Sequence, residues 1–162
     1  MQEPVKPKDE DARLKVLRNL LILDTPVEEA YDSIVKYTST QFSVKMVMIT
    51  FMDADRNWFK SCSVDIGTRE SPRKISFCGH AILQSDIFEI PDTHADERFS
   101  DNPLVRAGAM VRYYAGVPLV IKGQPIGTLC LFDVVPHEPM DIDKRNHLKA
   151  IARLLETQMS WI

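Results

Sequence analysis

The residues best suited to chemistry crowd into one stretch, Ile75 to Asn102. Cys78 and His80 sit two apart in Phe77-Cys78-Gly79-His80. If Phe77 to Gln84 is helical, their side chains point in different directions, so they do not make a nucleophile–base pair. The default for Cys78 is a buried, inert thiol. Cys62 and Cys130 fall on predicted strands and read as small apolar fillers. Redox pairing among the three stays open, because strand neighbours are not readable from sequence. His80 suits a hydrogen bond to a carbonyl or carboxylate, or a ligand contact. An odd cysteine count without a close pair fits a reducing cytoplasm. No C-x-x-C occurs, and His80, His94, His137 and His147 lack zinc spacing, so no metal is expected.

Arg98 lies between Asp96, Glu97 and Phe99. It is either an ion pair that holds a loop or a fork for a carboxylate or phosphate on a ligand. Asp92 and Asp96 read as turn and capping residues rather than an acid–base pair. Trp58, Phe59, Phe77, Phe99, Tyr113 and Tyr114 supply rings, and one or two facing a cavity would suit a flat ligand. The candidate ligand contacts are Trp58, Phe77, Cys78, His80, Asp92, Arg98, Phe99 and Tyr114, with no catalytic residue among them. The glycines are scattered, so no nucleotide-binding fingerprint can be drawn and no cofactor is named.

The elements that must position these groups follow from periodicity. A first helix is expected from Asp9 to Leu21, with Leu14, Leu17 and Leu21 inward and Arg13, Lys15 and Arg18 outward. Thr25-Pro26-Val27-Glu28 reads as an N-cap, a first-turn proline and a capping box. The helix it starts runs to about Gln41, burying Val27, Tyr31, Ile34, Thr38 and Phe42. Lys45 to Met52 is apolar enough for a central strand, paired with Trp58 to Val64. Ile66 to Lys74 reads as loop, Phe77 to Gln84 as a short helix capped by Ser76, and Ile87 to Ile90 as a strand. A loop from Asp92 to Ala109 follows, long enough to suggest a role. Val111 to Ile121 and Ile126 to Asp133 form a hairpin around Lys122-Gly123-Gln124. Asp141 caps a last helix striped with Leu148, Ile151, Leu155, Met159 and Ile162. Hairpin-linked strands with helices gathered at the ends indicate an α+β fold on an antiparallel sheet.

Composition narrows the function. The 162 residues are 44% hydrophobic and 27% charged, proportions of one globular domain. The net charge of -3, with signs interspersed, argues against a nucleic-acid surface. No apolar run reaches membrane-spanning length. Residues 1–8 carry no signal core and read as a disordered lead-in to a domain over 9–162.

Several segments in order resemble a GAF domain, the sensory module of bacterial signalling proteins. They are Leu20-Leu21-Ile22-Leu23-Asp24-Thr25-Pro26, Asn57-Trp58-Phe59-Lys60-Ser61, Ser76-Phe77-Cys78-Gly79-His80-Ala81-Ile82, Ile90-Pro91-Asp92, Asp96-Glu97-Arg98-Phe99, Asn102-Pro103-Leu104-Val105, Tyr113-Tyr114-Ala115-Gly116-Val117-Pro118-Leu119 and Ile126-Gly127-Thr128-Leu129-Cys130. The resemblance is to domains placed ahead of diguanylate cyclases and sensor kinases. It implies a six-stranded antiparallel sheet, with terminal helices on one face and a pocket of loops and short helices on the other. It also implies a homodimer through the terminal helices, for which Leu148, Ile151, Leu155 and Met159 are the expected contacts. The expected function is cytoplasmic sensing of an unidentified small molecule, passed to an output partner such as a diguanylate cyclase or kinase. Two alternatives stand beside it. One is a redox enzyme or thiol sensor like the free methionine-(R)-sulfoxide reductases, against which the absence of cysteine from Asp92 to Ala109 counts. The other is a ligand-free dimerisation module.

Overall fold

A computed structural model describes residues 1–160. Its centre is a six-stranded antiparallel sheet in the order β3-β2-β1-β6-β5-β4. The strands are β1 Met46–Met52, β2 Arg56–Cys62, β3 Glu70–Pro72, β4 Phe88–Ile90, β5 Tyr113–Ile121 and β6 Gln124–Asp133. The helices are α1 Glu10–Asn19, α2 Glu29–Phe42, α3 Cys78–Ala81, α4 Pro103–Arg106 and α5 Ile142–Met159.

The continuous apolar run of β1 follows from burial on both faces. Val47, Ile49 and Phe51 point into a core shared with α1, α2 and α5. Met48 and Met52 point the other way, into a second core that includes α3. Strand β6 divides likewise, with Leu129 and Leu131 on the helix side and Cys130 and Phe132 opposite. The β5–β6 turn carries Lys122 at φ 49° and Gly123 at φ 78°, the left-handed pair that a tight hairpin requires. Pro118 sits opposite Thr128 on β6, beyond the three residues that pair with β4, so its missing N–H leaves no ladder bond open there.

Several sequence expectations are corrected. Helix α2 starts at Glu29, without a side-chain cap. Lys60, fully buried, has claimed the expected capping segment instead. Its ammonium donates to Thr25 Oγ1 and Pro26 O, both at 2.7 Å, and pairs with Glu28. A buried cation must find acceptors, and that demand overrides a local capping preference. Val27 is consequently exposed. Arg13 is not on the outer face of α1. It is fully buried and bonds Glu10 at 2.8 Å, and Glu10 bonds Arg73 at 2.6 Å.

Leu148, Ile151, Leu155 and Met159 do form the buried stripe of α5, but they pack on this chain's own sheet. These four side chains are therefore engaged by the sheet rather than presented on the surface as the expected contacts of a second chain. Ile162, the last member of the expected stripe, lies outside the described residues. The loop expected from Ile66 to Lys74 contains the short edge strand β3 and a 3-10 turn, Arg73–Ile75. Within residues 1–8, Gln2 contacts the domain. The Gln2 N–H donates to Arg98 O, and His80 Nε2 donates to Gln2 O, both at 3.0 Å.

Candidate functional site

The face of the sheet opposite α1, α2 and α5 is incompletely filled. A cavity of about 670 Å³ lies there, under the segment before β3, α3 and residues 104–111. Its floor and walls are Met46, Met48, Phe59, Phe77, Val111 and Phe132. Lys45, Asp65, Thr68 and Asp133 stand among the polar lining groups. The apolar majority with a few polar groups is the pattern of a small-molecule site.

Strand alternation sets which residues reach the cavity. On β2, Asn57 and Phe59 face it, so Trp58 faces the helix core, against Phe51 and beneath Arg69. Asn57 is 4% exposed, and its Oδ1 makes no hydrogen bond within the protein. A buried amide oxygen without a partner costs about 1–3 kcal/mol, so its place in a cavity wall is informative. Helix α3 brings Phe77 and Cys78 to the wall. Ser76 holds the start of that helix, as expected, by accepting the Gly79 N–H at 3.0 Å.

Of the eight residues singled out from sequence, Phe77 and Cys78 line the cavity. Phe99 and Tyr114 stack on the two sides of Phe77, with ring centroids 4.8 and 5.1 Å away, and support the wall from behind. His80 packs edge-on against Phe99, and burial lowers its pKa. Arg98 is bonded to Asp96 at 2.7 Å and lies over the rings of Phe88 and Phe99, outside the cavity. That is the loop-holding role. Asp92 accepts the His94 N–H and pairs with Arg112, whose hydrogen bond lowers its pKa. Trp58 is on the other side of the sheet.

The residues missed were Asn57, Met46, Met48 and Phe132, while Phe59, one of the rings named from sequence, does line the cavity. Period-two alternation on β2 was the available signal. It places a buried polar residue, Asn57, on the face opposite Trp58.

The model of the GAF domain family matches residues 26–159. The chain belongs to the GAF domain family. It is 34% identical over 156 residues to a cyclic di-GMP phosphodiesterase of Pseudomonas aeruginosa. That match takes in 96% of this chain but 26% of the relative, so the chain spans about a quarter of the relative's length. Among solved structures, the GAF domain from an Acinetobacter phosphoenolpyruvate-protein phosphotransferase superposes with a TM-score of 0.67 at 14% identity, over 92% of this chain and 93% of that one. Free methionine-R-sulfoxide reductase from Neisseria meningitidis, in complex with its substrate, gives 0.67 at 16% identity, over 99% and 96%. Identities this low speak for a shared GAF fold alone. No helix among the described residues is long and apolar enough to cross a membrane.

Proposed function

We propose that this GAF domain is a cytoplasmic sensor of a small molecule in a bacterial signalling protein, and that the ligand sits in the 670 Å³ cavity. The observation that carries the reading is the division of β1 and β6. One set of their side chains walls the cavity and the alternate set packs α1, α2 and α5. A ligand that binds one arrangement of that wall more tightly than another biases the helix packing behind it. The orphan Asn57 Oδ1 supports a ligand with an N–H or O–H donor on an otherwise apolar body.

The phosphodiesterase named among the relatives supports an output that handles cyclic di-GMP, alongside the diguanylate cyclase or kinase partners typical of such sensors. The ligand itself is bound and released unchanged. Native mass spectrometry and thermal-shift screening of a broad metabolite panel test this. A co-purifying mass, or a stabilising compound whose effect disappears in Ala109→Trp at the exposed lip, is the expected result. No bound mass and no stabilisation by any compound would sink the reading.

A further inference from the structure

Ligand binding leaves two thiols unused, one on a cavity-lining residue and one in the core beside it, and the fold brings these two together. Cys78 on α3 and Cys130 on β6 have their Sγ atoms 3.7 Å apart, though 52 residues separate them. Two hydroxyls are aimed at one of these sulfurs. Tyr114 and Thr128 each donate to Cys78 Sγ at 3.2 Å. Having given its proton to sulfur, Thr128 accepts from Thr50 at 2.9 Å. The tyrosine reaches only because residue 116 is glycine: a Cβ there would stand 2.2 Å from the Tyr114 hydroxyl oxygen.

Convergent O–H donors suit a thiolate better than a neutral thiol. Burial pushes the Cys78 thiol up, but hydrogen bonds from Cys130, Thr128 and Tyr114 outweigh it and lower the pKa. Cys130 moves the opposite way, raised by burial and by Cys78 beside it. The pair thus divides into an acidic sulfur on a cavity-lining residue and a partner that keeps its proton. Cys62 lies outside this cluster and is half-buried.

We propose that Cys78 and Cys130 are a peroxide-reactive dithiol, oxidised once to a disulfide by an organic hydroperoxide that enters the cavity. The Cys78 thiolate attacks the outer peroxide oxygen and the O–O bond breaks. The alkoxide leaves as an alcohol, taking up the proton that Cys78 shed. Cys78 becomes a sulfenic acid. The Cys130 sulfur attacks it, hydroxide leaves with the Cys130 proton as water, and the disulfide forms. Two thiols are oxidised by two electrons, and one peroxide is reduced to alcohol and water. Closing the gap from 3.7 Å to about 2.05 Å draws α3 toward β6 and alters the cavity wall. Met48, Phe77 and Phe132 make that wall apolar, which favours an alkyl or aryl hydroperoxide over hydrogen peroxide.

The test exposes the folded chain carrying Cys62→Ser to cumene hydroperoxide, alkylates it in denaturant, and maps it with trypsin. The expected product joins residues 75–98 to residues 123–144, lighter by two hydrogens and restored by dithiothreitol. Hydrogen peroxide at equal concentration should form it more slowly. At about pH 5, below the lowered Cys78 pKa of about 6, Tyr114→Phe should slow it about tenfold, the thiolate fraction lost with a donor worth about one pKa unit. The unsubstituted chain gives the same readout, since Cys62 falls in a separate peptide, residues 61–69. Recovery of both thiols fully alkylated would overturn the proposal. So would a cross-link that forms as fast in urea, or a Cys78 oxidised beyond thiol while Cys130 stays free.

Discussion

The two faces of the sheet are built from the same strands and do opposite things. The helix side is closed: Leu17, Val35, Leu129, Leu148 and Leu155 are all fully buried. Its charged groups are matched as well, with Glu10 held between Arg13 and Arg73, and Lys60 fully ligated. The opposite side keeps a cavity, an unpartnered amide at Asn57 and two adjacent thiols. Stability resides where the core side chains are packed and the buried charges are matched. The capacity to respond resides where some are not.

Five substitutions would break or sharpen that contrast. The largest effect is expected from Leu155→Ala, which opens a hole in a filled core and should cost about 3–4 kcal/mol by urea denaturation. Met46→Ala, at the half-buried cavity wall, should cost about 1 kcal/mol or less, because the space it leaves is already open. Equal costs would erase the distinction between the faces.

Glu10→Gln should cost about 3 kcal/mol, since it strands two buried guanidinium groups. Burial raises the Glu10 carboxyl, but hydrogen bonds from Arg13 and Arg73 outweigh this and bring its pKa down to about 2. A folded pKa below the unfolded value gives stability that is present above about pH 4.5 and lost as pH falls toward 2. The gap between Glu10→Gln and the unsubstituted protein should therefore narrow across that window. A gap independent of pH would refute the assignment.

Asn57→Leu should have the opposite sign. Removing an orphan acceptor should stabilise the ligand-free protein by about 1 kcal/mol while abolishing stabilisation by any donor-bearing ligand found in screening. A destabilised variant that still binds would mean that Asn57 has a structural role. The smallest effect is expected from Arg98→Ala. Its half-exposed ion pair and ring contacts should be worth about 0.5–1 kcal/mol, with ligand-induced stabilisation unchanged. Lost ligand response in that variant would move the site toward the loop.

The contrast between the faces also explains how far sequence reasoning reached. Helix-side packing was legible where the pattern is periodic, as in the stripe Leu148, Ile151, Leu155. The closing hairpin was legible from its turn residues. The three-residue edge strand β3 was not, because so short and polar a segment has no period. The capping box at Thr25 to Glu28 obeyed local rules that a buried lysine 32 residues beyond Glu28 overruled. Arg98 and Trp58 stood out by residue type, yet one is spent on its own loop and the other on the far core.

Residue order alone determined the GAF architecture, the antiparallel α+β layering and the stretch around Phe77 and Cys78 as a cavity wall. These depend on hydrophobic period and turn chemistry, which act over a few residues at a time. Tertiary structure decided that Asn57 faces an opening without a partner, that Cys78 meets Cys130, and that the stripe on α5 is consumed by its own sheet. Each of these depends on what lies across a strand or beneath a helix, far away in sequence, and only the assembled fold places those neighbours.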